Sequence, residues 1–167
     1  AVFATPGADG RYPASLAGYQ VRAGAAALPV IAVARGLVAV QLPFDLFGEA
    51  SLELNGPEAR SVPLTLNVVP SPLPTLFETG QRREGLGLLA ALNQDGSVNS
   101  ATNPAPYGSV VSVFGTGLGF ASPTPATGGS TPPAAAPVTS LVSACAPDCR
   151  VLYLGAAPGL STGVFQV

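Results

Sequence analysis

The chain has 167 residues, of which 47% are hydrophobic and only 10% charged, and its net charge is -2. It contains no His, Lys, Met or Trp. Without His or Lys, nucleophilic machinery of the Ser/His/Asp, Cys/His or Ser–Lys kind is excluded, and seven scattered arginines make no basic stripe for nucleic acid.

An ordinary soluble domain carries about 25% charged residues, so small residues, Ser, Thr and turns must cover this surface. The length suits one large sandwich or two small domains with a real core. Lacking Met, the chain is expected to be processed or to be a segment of a longer product. Its opening Ala1-Val2-Phe3-Ala4 suits the residues left by a removed signal peptide. Residues 1–16, rich in Gly, Pro and Ala, read as an N-terminal arm.

Short apolar runs then follow at sandwich-like spacing and predict strands over 18–23, 28–34, 37–42, 50–54 and 61–69. The most apolar stretch, 23–44, is interrupted by Pro29, Arg35, Gly36 and Pro43. It reads as β runs rather than a membrane helix, which needs about 20 predominantly apolar residues. Leu52 and Leu54 alternate with Ser51 and Glu53, giving one apolar and one polar face. Asn55-Gly56 then signals a tight turn, and Val62, Leu64, Leu66 and Val68 repeat with period two. Residues 17–70 form the first β unit of this reading.

Pro70, Pro72 and Pro74 remove backbone donors and favour a stiff connector, so 71–85 reads as a linker. Within it, Arg82-Arg83-Glu84 reads as a solvated turn or a subunit contact. Strands are predicted again over 86–93, 109–114, 138–144, 150–154 and 163–167, making 86–167 the second unit. Residues 120–137 are a low-complexity run of Ser, Thr, Pro, Ala and Gly, expected as a long exposed loop and a candidate for O-glycosylation. No segment has a helical period of adequate length, so the predicted class is all-β.

Cys145 and Cys149 flank Ala-Pro-Asp, and the Pro147-Asp148 pair favours a turn that brings the sulfurs together across a hairpin. For a loop of about five residues such a disulfide is a local staple of roughly 2 kcal/mol, and it implies an oxidising compartment. Half of a metal site or a redox pair is the alternative, but with no His and no second Cys pair a zinc site cannot close.

The Gly115-Thr116-Gly117-Leu118-Gly119 run lacks the Gly-Lys-Ser/Thr ending of a phosphate loop and reads as a turn after a strand. The nine acids show no paired-carboxylate pattern for glycoside hydrolysis. Asn93, Asp95 and Asn99 offer oxygens to a hard cation such as calcium, although Asp95-Gly96 is also an ordinary hairpin turn. Tyr12, Tyr19, Tyr107 and Tyr153 are expected in the core or at sheet edges rather than as a sugar platform.

Several motifs taken together resemble one family. They are Leu92-Asn93-Gln94-Asp95-Gly96-Ser97-Val98-Asn99, Asn103-Pro104-Ala105, Gly108-Ser109-Val110-Val111 and Gly115-Thr116-Gly117-Leu118-Gly119. Val151-Leu152-Tyr153, Ala157-Pro158-Gly159-Leu160 and Val164-Phe165-Gln166-Val167 complete the set, with an echo in Val40-Gln41-Leu42-Pro43-Phe44-Asp45-Leu46. The chain resembles the repeat found at the C-terminal ends of secreted acidobacterial proteins, a relative of the IPT/TIG immunoglobulin-like domains, over about residues 17–167. The resemblance implies an extracellular immunoglobulin-like β-sandwich, as two half-repeats or two small sandwich domains, and no catalytic residues or cofactor.

Against that family pattern, the chain looks like the back half of one repeat followed by the front half of the next. The halves then pack as a permuted sandwich, complete neighbouring copies by strand exchange, or belong to a longer sequence. The expected function is that of a noncatalytic extracellular structural protein, assembling by strand complementation into a fibre or surface layer. The expected edge strands are 38–42, with Val38, Val40 and Leu42, and 163–167, with Val164 and Val167. An adhesin or carbohydrate-binding module facing a surface glycan is the alternative.

Overall fold

In the computed structural model, residues 1–58, 60–69, 73–118, 124–132 and 150–167 are described. The chain is all-β, with antiparallel sheets, no closed barrel and no helix among the described residues, as the two-residue periodicity predicts. It divides into two compact units, each discontinuous in sequence. The first comprises residues 1–72, 119–133 and 158–162, and the second residues 73–118, 134–157 and 163–167.

Unit 1 holds two sheets. One has the order β1 (Val2–Phe3), β4 (Val30–Ala34), β5 (Leu37–Val40); the other runs β3 (Ala26–Ala27), β2 (Gln20–Ala23), β6 (Gly48–Asn55), β7 (Leu64–Val68). Buried apolar residues come from both: Val21 and Ala50 from the four-stranded sheet, Val30, Ala32 and Val33 from β4. Leu28 and Val30 are fully buried, and burying each contributes about 1.5–3 kcal/mol. Alternation does the sorting. Val21 turns inward between Gln20 and Arg22, and Ala34 pairs with Leu37 across the two-residue Arg35-Gly36 turn. Gly36 has φ +75°, a conformation that costs glycine nothing.

Unit 2 is organised around β12 (Val111–Thr116). On one side of it lies β14 (Val164–Gln166), which also pairs β13 (Gly155–Ala156). On the other side, β8 (Thr75–Leu76) and β11 (Ala91–Asn93) follow one another along the same edge. β9 (Glu78–Arg83) and β10 (Leu86–Leu89) form a separate hairpin. Its turn, Glu84-Gly85, has positive φ at both residues, the geometry that matches strand twist in two-residue hairpins. Leu154, Ala157 and Phe165 are buried in this unit.

Several expectations change. The arm 1–16 carries β1, and the linker 71–85 carries β8 and all of β9. The run expected as one strand over 86–93 divides at Ala90 into β10 and β11. Residues 150–154 have no regular strand; pairing starts at Gly155. Part of the low-complexity run, 124–132, is bridged into unit 1 through Arg11 and Gly129, and through Ser130 and Ser161. The strand expected over 138–144 lies outside the described residues.

Candidate functional site

Of the two expected edge segments, one is open. Among the described residues β5 ends its three-stranded sheet and pairs only β4, so Val38 and Val40 lie on an edge strand, while Leu42 follows the strand. The expectation for 163–167 is corrected: β14 lies between β12 and β13, and Val167 exchanges both backbone hydrogen bonds with Val113 at 2.9 Å. Val164 and Val167 are therefore sheet-interior. A second open edge is β7, at the end of the four-stranded sheet. Neither Leu-Val-Ala-Val of β5 nor Leu-Thr-Leu-Asn-Val of β7 carries a charge or a proline. These are the devices by which proteins ordinarily guard an exposed edge. Leu37 is 57% exposed and Leu64 59%.

The calcium candidates form a turn network. Asn93 is buried, its Oδ1 accepts from Asn99 Nδ2 at 2.8 Å, and its Nδ2 donates to Ser97 Oγ and Asn103 O. Asp95 is exposed, and its Oδ1 accepts from the Ser97 amide at 2.9 Å and hydroxyl at 2.6 Å. Those bonds to Ser97 hold the Asp95 carboxyl below its ordinary value of 3.8, because they stabilise the charged form. Asn103 closes the network by donating to Ser97 Oγ and Val98 O. The Asn-rich motif thus satisfies its polar atoms internally, as the turn reading requires. Among the described residues no three His, Cys, Asp or Glu side chains gather as a metal group.

The Gly-rich run is a packing device. A Cβ at Gly115 would overlap Thr75 O and the Phe165 ring, and one at Gly117 would overlap Leu73 O. Glycine lets residues 73–76 pass close to β12. Tyr153 donates to Ala156 O at 2.7 Å, and Tyr107, expected at the core or an edge, is fully exposed. Cys145 and Cys149, with the disulfide expected between them, lie outside the described residues.

Two features of unit 1 escaped sequence reasoning. Gln41 is a junction: its Nε2 donates to Thr162 O at 2.6 Å and Thr162 Oγ1 at 3.0 Å. Its Oε1 accepts from Gly128 N at 2.8 Å and Ser161 Oγ at 3.2 Å. The signal was a single amide within the apolar run 37–42.

The second feature is an open cleft of about 540 Å³ lined by Gln20, Arg22, Glu53, Asn55, Gly56 and Arg60. Cross-strand register builds it, since Gln20 pairs with Asn55 and Arg22 with Glu53, and directly opposed residues share a face. An Asn55–Arg60 bridge closes the turn beyond. Arg22 donates to Ala25 O, whereas the side chains of Arg60 and Glu53 have no hydrogen-bond or ion-pair partner among the described residues. Asn55 Oδ1 is buried without a partner, a state that costs about 1–3 kcal/mol.

No family model, curated protein or solved structure matches the chain. Among the described residues no helix is long and apolar enough to cross a membrane.

Proposed function

We propose that the chain is a noncatalytic extracellular structural protein that assembles with copies of itself by β-strand complementation into a fibre or surface layer. One observation carries this reading: among the described residues both sheets of unit 1 end in an open strand with no charge and no proline, β5 and β7. An unpaired row of backbone groups is a template for another strand. Pairing β5 of one copy with β7 of the next joins two different surfaces, and such a heterologous contact propagates rather than closing unless its rotation forms a ring. Exposed apolar side chains along the β7 segment, Val62, Leu64 and Val69, would be covered by the same contact. The resemblance to a secreted immunoglobulin-like repeat agrees with an extracellular location and with strand exchange.

The test is electron microscopy and sedimentation of the purified chain beside two variants, Leu37→Lys on β5, where Leu37 is exposed, and Thr65→Lys on β7. The wild-type chain forms filaments, and either lysine abolishes them while leaving a folded protein. Filaments that persist in both variants contradict the edge-pairing mechanism.

A further inference from the structure

We propose that the Gln20/Arg22/Glu53/Asn55/Arg60 cleft binds an acidic sugar, a uronic acid residue carried on a surface glycan. The cleft volume of about 540 Å³ falls within the roughly 300–1,000 Å³ of small-ligand sites. Five of its six lining residues carry polar or charged side chains and the sixth is Gly56, so no large apolar side chain is there to take a fatty or aromatic ligand. The side chains divide into two kinds of recognition.

The Arg60 guanidinium has no partner among the described residues, and its planar fork suits a carboxylate in two parallel hydrogen bonds. Glu53 is a free acceptor for hydroxyl donors, and Gln20 and Asn55 add amides that both donate and accept. Arg22 is held in place by its bond to Ala25 O.

The presence of Glu53 decides the class of ligand. A compact anion such as phosphate would meet its carboxylate at short range, where like charges repel. A ligand that carries its carboxylate at one end and neutral hydroxyls at the other avoids this, placing the acid on Arg60 and the diol on Glu53. A uronic acid has that layout. The proposal rests on residues of the β2–β6 face and on neither open edge, so it stands or falls independently of self-assembly.

Isothermal titration calorimetry with D-glucuronate, D-glucose and acetate tests it on the full chain. Saturable binding of glucuronate, roughly tenfold tighter than of either comparison ligand, is expected from one charge-assisted bidentate contact added to hydroxyl recognition. Arg60→Gln removes that advantage, whereas Arg35→Gln, at the β4–β5 turn, leaves it intact. Arg60 is exposed, so its replacement does not threaten the fold. Equal affinity for glucose overturns the carboxylate contact, and equal affinity for acetate overturns the sugar. No heat with any of the three, or an unchanged Arg60→Gln, overturns the site.

Discussion

Gln41 is the residue on which unit 1 most depends for its polar order, because one amide holds the backbone at Gly128 and at Thr162 together. Gln41→Leu keeps the volume but strands the buried Gly128 N–H and leaves the Ser161 hydroxyl only its longer bond to Thr162 O. A loss of about 1–3 kcal/mol is expected, read as a lower urea midpoint at unchanged slope. Gly115→Ala forces a methyl group against Thr75 O and Phe165 and is expected to cost about 1–3 kcal/mol by overpacking, again by urea unfolding. Asp95 gives a pH signature. Its folded pKa lies below the ordinary 3.8 because of Ser97, so its contribution is present above the unfolded value and fades as pH falls through the folded one. Asp95→Ala should therefore lie below wild type in stability at neutral pH and converge with it in strong acid, which a series of thermal melts checks. The Asn93–Asn103 motif was visible in the sequence as a turn because Asp-Gly signals one locally. Gln41 was not, since its partners lie 87 and 121 residues away.

Strands show how far periodicity reaches. β6 and β7 were legible because alternating apolar residues mark a half-buried sheet, and β2 and β4 as short apolar runs bounded by turn residues. β1, β3 and β8 have two residues each, too few to show any period. β9 is Glu-Thr-Gly-Gln-Arg-Arg and fully exposed, so it has no apolar face to read; its hairpin is set by the turn at Glu84-Gly85. The same logic explains the reversal at 163–167. An apolar pattern says that a strand is buried, but not how many neighbours flank it, and β14 has two. A truncation removing residues 163–167 should consequently disrupt unit 2, taking β13 and the Val113 pairing with it. Loss of cooperative unfolding and of protease resistance is the expected outcome, whereas a fully folded truncation product would contradict the pairing.

At the scale of the whole molecule, the all-β class was legible and the partition was not. Unit 1 takes in residues 119–133 and 158–162, which a reading by composition assigns to the second half. Nothing local marks such a docking; the bridges Arg11–Gly129 and Ser130–Ser161 join positions distant in sequence. Exposed large apolar side chains outnumber buried ones among the described residues, and the proposed strand pairing would cover those along β5 and β7. The proposed self-association would meet few guarding charges, since only 10% of residues are charged. The most direct test is electron microscopy of the purified chain, paired with its sedimentation mass over a concentration series. Filaments with a regular subunit repeat, lost in Leu37→Lys, are the result expected. A monodisperse monomer at every concentration would contradict it.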